Sequence, residues 1–303
     1  MKILVSDPLD SQAVESMKKA KLDVTVQTGM KPEELLKVIP NYQILIVRSG
    51  TKVTRQILEA AKNLKLVVRA GVGLDNIDAI AAKEKDIEVC NTPLATTTSV
   101  AEHTFALMLA LLRKIPQAHD SLKKGEWKRK EFQGFELKEK VLGIVGLGRI
   151  GQEVAKRAKA FGMRILATDL SSNPEIAAAL DVEWQPLEVL IQKADILTLH
   201  LPLTPKTKHM LNQNSLRKMK KGSYVINAAR GGIIDEQALA DAIKSGHIAG
   251  AAFDVFETEP PTQNPLLALD NVVAVPHLGA STEEGQFRAG QEAANIVIDF
   301  AKK

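Results

Sequence analysis

Short apolar runs that alternate with helical patterns constrain the fold of this 303-residue chain more than any other feature. The runs are rich in valine, isoleucine and leucine and are nearly continuous, which is typical of parallel strands covered by helices on both faces. The predicted strands of a first set are Lys2–Ser6, Val24–Thr28, Ile44–Arg48, Leu66–Ala70 and Glu88–Asn91, and those of a second set are Val141–Val145, Ile165–Thr168, Ile196–Leu199, Tyr224–Asn227, Ile248–Phe253 and Val272–Val275. The pattern therefore predicts an α/β protein with two parallel sheets.

A long apolar helix is predicted between the two sets. Ser99 and Glu102 have the spacing of a capping box, which marks a helix start, and the run from Phe105 to Leu112 is apolar all round. Such a helix must be buried on every side, between domains or between subunits. The following segment, from Gly125 to Leu137, is partly apolar without clear periodicity. It is either an arm around a second copy of the chain or a surface loop.

Composition excludes several classes of protein. With 45% hydrophobic and 25% charged residues, the chain has the composition of an ordinary globular protein. No apolar run approaches the ~20 residues of a membrane span, so we expect no membrane partner. The net charge of +4 comes without a basic block interleaved with aromatics, so we expect no nucleic acid. Cys90, the single cysteine, fits a reducing cytoplasm, and we expect no metal site.

A glycine-rich turn joins the first strand of the second set to a helical pattern over Gln152–Phe161. Gly146, Gly148 and Gly151 form GxGxxG in the strand–turn–helix setting that a dinucleotide requires. Asp169 ends the next strand, at about the 20-residue distance where a carboxylate accepts from the ribose hydroxyls. No arginine or lysine follows in residues 170–174, so NAD is favoured over NADP. The alternative is a glycine turn that binds no nucleotide.

Three charged residues follow strands of the second set, where ligands of parallel sheets bind. Arg230 follows the strand Tyr224–Asn227, and Glu259 and His277 lie beyond the next two strands. Histidine suits proton transfer near neutral pH, a carboxylate can orient it, and a guanidinium can hold a substrate carboxylate. These are the groups that oxidation of a hydroxy acid needs.

Four segments, taken in chain order, resemble the D-isomer-specific 2-hydroxyacid dehydrogenases. They are the glycine turn and the segments 227–232, 254–261 and 276–282. The resemblance implies a Rossmann cofactor domain, residues 95–279, inserted into a flavodoxin-like substrate domain, residues 1–94 with 280–303. It implies that Arg230, Glu259 and His277 are catalytic, and it implies a homodimer. The cofactor-binding residues that motif and resemblance together predict are Gly146, Gly148, Arg149, Ile150, Gly151, Asp169, His200, Leu201, Pro202, Ala228, Arg230, Asp254, His277 and Gly279.

Within the family, the segments 47–54 and 68–78 resemble the members that oxidise 3-phospho-D-glycerate, which is the first step of serine biosynthesis. The resemblance is to a short form of these members, without a C-terminal regulatory domain. Arg48 and Arg69 both end predicted strands, and a dianionic phosphate needs two such donors. The predicted substrate-binding residues are Arg48, Ser49, Arg69, Val72, Gly73, Arg230 and His277. Three alternatives stay open: salt bridges of Arg48 and Arg69 to the other domain, a glyoxylate or hydroxypyruvate reductase, and an NAD-sensing protein that resembles transcriptional corepressors.

Overall fold

The computed structural model describes residues 1–170 and 173–302. The chain forms two compact units, one made of residues 1–97 with the segment that begins at Ala280, the other of residues 98–279. The first crossing between the units therefore follows Thr97, slightly later than the Leu94 that the resemblance implies. The second crossing follows Gly279.

The first unit has a five-stranded parallel sheet in the order β2-β1-β3-β4-β5. This is the strand order of the flavodoxin-like fold. The strands are β1 Lys2–Val5, β2 Asp23–Val26, β3 Ile44–Val47, β4 Leu66–Arg69 and β5 Glu88–Asn91, and the helices are α1 Ser11–Lys19, α2 Pro32–Val38, α3 Arg55–Ala60, α4 Ala79–Glu84 and the C-terminal helix, Glu283–Ala301. One apolar cluster lies on each face of the sheet, because successive side chains of a strand point to opposite faces.

The second unit has a seven-stranded parallel sheet. Its strands are β6 Val141–Val145, β7 Arg164–Thr168, β8 Val182–Trp184, β9 Ile196–Leu199, β10 Ser223–Asn227, β11 Ile248–Phe253 and β12 Val272–Ala274, and its helices are α5 Thr97–Leu112, α6 Ile115–Lys123, α7 Arg149–Ala160, α8 Pro174–Leu180, α9 Leu187–Lys193, α10 Gln213–Lys218 and α11 Glu236–Lys244; the C-terminal helix is α12. The order β12-β11-β10-β9-β6-β7-β8 extends the Rossmann order by one strand. The predicted pair of doubly wound parallel sheets is confirmed.

Helix α5 begins at Thr97, so Ser99 lies within the helix instead of capping it. Phe105, Leu107, Met108, Leu111 and Leu112 are buried in a cluster with residues of β6 and α7. Ala106 is exposed and Leu109 and Ala110 are only partly buried, so the chain by itself does not bury the helix on every side as predicted. The homodimer stays a prediction.

The segment from Gly125 to Leu137 has no regular secondary structure, and the Trp127 side chain is largely exposed. Both interpretations of this segment therefore remain open. Throughout residues 1–170 and 173–302, no helix combines the length and the apolar character needed to cross a membrane.

Candidate active site

Two glycines of the turn after β6 are required by the packing of the protein itself. Gly146 has a φ of 98°, which favours glycine, and a Cβ there would lie 2.6 Å from the His200 carbonyl oxygen. A Cβ on Gly151 would overlap the carbonyl oxygen of Gly146. The start of α7 can therefore lie directly against the strand that precedes it.

Gly148 differs from these two glycines, because a Cβ on it would have no protein atom within 4 Å. It occupies the N-cap position of α7 and has no side chain to cap the helix. The space above it and the amides of the helix start suit a diphosphate, which binds at such helix N-termini. Arg149 and Ile150 begin the same helix. The residues of this turn therefore fit the diphosphate of NAD.

The Asp169 carboxylate lies beside the glycine turn. One of its oxygens, Oδ2, accepts from the Leu147 amide at 2.8 Å, and Oδ1 accepts from the Leu170 amide at 2.6 Å. These bonds fix the carboxylate at the end of β7, where a ribose hydroxyl donor would be expected. Ser171 and Ser172, part of the segment without arginine or lysine, lie outside the described residues.

His200, Leu201 and Pro202 follow β9, and the first two contact the glycine turn at Gly146. Nε2 of His200 lies 3.0 Å from the Thr198 hydroxyl oxygen. Burial lowers the pKa of His200 to about 3, so its imidazole is neutral at pH 7. His200 is therefore unsuited to proton transfer near neutral pH, and its predicted contact with the cofactor stays a prediction.

The turn after β10 carries Arg230. The Asn227 side chain closes this turn, since Oδ1 accepts from the Ala229 amide at 3.1 Å and Nδ2 donates to the Arg230 carbonyl at 2.9 Å. Arg230 Nη1 donates to the Ala229 carbonyl at 2.6 Å. Ala228 is buried in the same turn. The backbone around Arg230 is thus fixed by a side chain of the preceding strand.

Glu259 and His277 form a hydrogen-bonded pair. Nδ1 of His277 lies 2.9 Å from Oε2 of Glu259, while Oε1 of Glu259 accepts from the Phe256 amide at 3.1 Å. A carboxylate at Nδ1 favours the tautomer with a proton on that nitrogen and leaves Nε2 for proton exchange. Both side chains are partly exposed, so a substrate can reach them. This is the geometry that a general acid–base histidine needs.

The buried Asp254 carboxylate holds the turn that carries His277. It accepts from the amides of Leu278 at 2.6 Å and Gly279 at 2.9 Å, and Nε2 of His103 lies 3.1 Å from Oδ1. Burial raises the pKa of Asp254, but the hydrogen bond from His103 and those from the two amides outweigh it, so the pKa lies below its usual range. The sequence predicted a cofactor contact for Asp254, which stays a prediction. The contribution of His103 was missed.

In the first unit, Asn76 links the turns that carry Arg48 and Arg69. Asn76 Nδ2 donates to the carbonyls of Arg48 and Thr51, each at 2.7 Å, and Arg69 Nε donates to Asn76 Oδ1 at 3.3 Å. The buried Asp7 carboxylate accepts from the Arg48 amide at 2.6 Å. Asn76 therefore joins the backbone of Arg48 to the side chain of Arg69, while Arg48 Nη1 donates to the Pro8 carbonyl at 3.2 Å. Sequence reasoning missed both Asn76 and Asp7.

The other predicted substrate residues lie in the same turns. Ser49 is exposed after Arg48, and Val72 and Gly73 are partly exposed after Arg69. The Val72 carbonyl accepts from Asn91 Nδ2 at 2.5 Å. Burial lowers the pKa of Arg48, although Asp7 acts in the opposite direction. An arginine side chain nevertheless stays charged at physiological pH.

Comparison with known proteins identifies the family of the chain. Residues 105–279 match the family described as D-isomer specific 2-hydroxyacid dehydrogenase, NAD binding domain. The chain is 54% identical to D-3-phosphoglycerate dehydrogenase of Methanocaldococcus jannaschii over 304 residues, which cover 100% of this chain and 57% of that protein. It is 52% identical to hydroxypyruvate reductase of Thermotoga maritima, with 98% of this chain and 97% of that protein covered.

Solved structures share the fold as well. D-lactate dehydrogenase from Aquifex aeolicus, solved with NAD and lactic acid, superposes with a TM-score of 0.87 at 30% identity, over 100% of this chain and 96% of that one. This chain spans a little over half the length of several of its curated relatives, as for the Methanocaldococcus protein. It belongs to the D-isomer-specific 2-hydroxyacid dehydrogenases, and its residues 105–279 are their NAD-binding domain.

Proposed function

We propose that the protein is an NAD-dependent D-2-hydroxyacid dehydrogenase that oxidises 3-phospho-D-glycerate to 3-phosphohydroxypyruvate. The observation that carries the dehydrogenase assignment is the pair formed by Glu259 and His277, 2.9 Å apart. A histidine in this setting can take the proton of the C2 hydroxyl when the hydroxy acid is oxidised and return it in the reverse reaction. When bound, NAD would supply the hydride acceptor for the oxidation at C2.

The residues of the chain act on the substrate and on the proton. Nε2 of His277 takes the hydroxyl proton, and the Glu259 carboxylate favours the imidazolium that forms. Arg230 binds the substrate carboxylate and stabilises the negative charge of the carbonyl oxygen in the transition state. The fixed turn around Arg230 supports this role, because a preorganised donor needs no rearrangement during the reaction.

The choice of a phosphorylated substrate rests on Arg48 and Arg69. Two guanidinium groups can match the two negative charges of a phosphate, and Asn76 ties the two turns together. Relatives named D-3-phosphoglycerate dehydrogenase support the same choice. The second candidate is reduction of hydroxypyruvate, which the name of the Thermotoga maritima relative favours.

A matched pair of substrates separates the two candidates, because 3-phosphohydroxypyruvate and hydroxypyruvate differ only in the phosphate. We expect Arg48→Ala to lower kcat/KM for the phosphorylated compound by about 10- to 100-fold, the effect of losing one charged hydrogen bond. The loss with hydroxypyruvate should be small. Arg55→Ala is the control, since Arg55 pairs with Glu84 on the surface of the same unit. Equal losses with both substrates would contradict the role of Arg48, and a wild-type preference for hydroxypyruvate would favour the second candidate.

A further inference from the structure

A carboxylate on helix α11 holds the loop that carries Glu259. Glu236, the first residue of the helix, accepts from the Glu257 amide at 2.7 Å through Oε1 and from Asn264 Nδ2 at 2.5 Å through Oε2. Glu236 is only partly exposed. Its two oxygens therefore bind two points of one loop, on either side of Glu259.

The backbone that Glu236 binds also orients Glu259. The Phe256 amide, next to the Glu257 amide in the chain, donates to Oε1 of Glu259 at 3.1 Å. The other oxygen of Glu259, Oε2, faces Nδ1 of His277 at 2.9 Å. A shift of the Phe256–Glu257 backbone would thus move the carboxylate away from the imidazole.

Neighbouring groups confine the same peptide from other sides. The Phe256–Glu257 peptide packs directly on the Cα of Gly231, next to Arg230. Oε2 of Glu257 lies 3.0 Å from Nε2 of His209, whose amide donates to the Gly232 carbonyl at 2.8 Å. Burial, together with the charge of Glu257, raises the pKa of Glu236 above its usual value. The hydrogen bonds from the Glu257 amide and from Asn264, and the nearby His209, lower this pKa but do not outweigh the burial.

We propose that Glu236 is a positioning residue for the Glu259–His277 pair. It acts by fixing the Glu257 amide, and through that peptide it keeps the Glu259 carboxylate at hydrogen-bond distance from His277. The inference rests on the proposed function only in assigning proton transfer to His277. It does not depend on which hydroxy acid is the substrate.

Three variants of Glu236 test this role. Glu236→Ala removes both acceptors, Glu236→Asp keeps the charge but is too short to reach the Glu257 amide, and Glu236→Gln keeps an acceptor oxygen for that amide. We expect kcat to fall by about 10- to 100-fold in the first two variants, because small displacements of catalytic groups have effects of this size. Glu236→Gln should retain most of the wild-type rate.

A second readout separates positioning from a merely structural role. The Glu259 carboxylate at Nδ1 favours the His277 tautomer with a proton on that nitrogen. The share of this tautomer, followed by ¹⁵N NMR of the neutral imidazole in the protein without ligands, should therefore fall in Glu236→Ala and Glu236→Asp. Asp235→Ala is the control, because Asp235 caps the same helix by accepting from the Ala238 amide. It should lower stability and leave the tautomer share unchanged.

An unchanged tautomer share in Glu236→Ala and Glu236→Asp would overturn the inference, and so would an equal fall in Asp235→Ala. Because the NMR measurement needs no turnover, it also decides the inference if the wild-type protein fails to oxidise 3-phospho-D-glycerate. In that case the failure concerns the proposed function alone.

Discussion

Gly231 and Phe256 lie so close that a methyl group on Gly231 would overlap the Phe256 carbonyl. Gly231 follows Arg230 in the turn after β10, and Phe256 precedes Glu259 in the loop after β11. The contact therefore joins the turn that carries the arginine to the loop that carries the glutamate. Gly231 has no side chain, yet its close contact with Phe256 constrains the spacing of Arg230 and Glu259, two predicted catalytic residues.

Gly231→Ala is expected to lower kcat by about 100-fold, since the added methyl group must displace the Phe256 peptide and misplacement of about 1 Å has effects of this size. Steady-state kinetics with the preferred hydroxy acid measure the effect. Far-UV circular dichroism is the control for folding, since NADH affinity is not independent of a turn that carries the predicted cofactor residues Ala228 and Arg230. Wild-type turnover in a folded Gly231→Ala variant would show that this contact does not control the site.

Gly148→Ala is expected to weaken NADH binding by about tenfold or more while changing the free energy of unfolding by less than about 1 kcal/mol. The protein leaves open space at this position, so the loss of stability is limited to the poorer N-cap preference of alanine compared with glycine, typically below about 1 kcal/mol. The methyl group would instead occupy the space of the diphosphate. Fluorescence titration with NADH and chemical denaturation measure the two quantities, and undiminished NADH affinity would contradict the assignment.

His200 makes the stability of the fold depend on pH. Its pKa falls from 6.5 to about 3 on folding, so between these values the unfolded chain binds a proton that the folded chain does not. Stability therefore decreases as the pH falls below about 6.5, by about 2 kcal/mol at pH 5 from this group alone.

In His200→Gln this contribution is absent, because glutamine does not titrate. The difference in free energy of unfolding between pH 7 and pH 5 should thus be about 2 kcal/mol smaller than in the wild-type protein. Denaturant unfolding at the two pH values measures it. Equal differences in both proteins would mean that His200 does not remain neutral in the fold.

The sequence predicted the sheets well because a parallel strand covered on both faces must be apolar along its whole length. Strands β3, β6 and β9 are accordingly clear in the sequence. Strand β8 was missed because the charged Glu183 interrupts the apolar residues of its three-residue span, Val182–Trp184. Helix α5 was predicted to start at Ser99, but it begins with Thr97, whose hydroxyl donates to the Pro93 carbonyl.

The site was only partly predictable. Arg230, Glu259 and His277 follow strands, and this position marks them as candidates for proton transfer and substrate binding. Asn76 and Glu236 act through hydrogen bonds to backbone groups that are distant in the chain, as in the bond from Asn76 to Arg48. No local pattern of residue types marks such bonds, because they depend on the register of the folded turns. The homodimer and the cytoplasmic location also stay predictions.

The initial rate of NADH formation from NAD and 3-phospho-D-glycerate, measured for the wild-type protein, His277→Ala and His119→Ala, tests the central claim most directly. His119 is an exposed histidine of α6, outside the proposed site. The account predicts turnover by the wild-type protein and by His119→Ala, and a loss of about 10²–10⁴-fold in His277→Ala. Near-wild-type turnover by His277→Ala would contradict it.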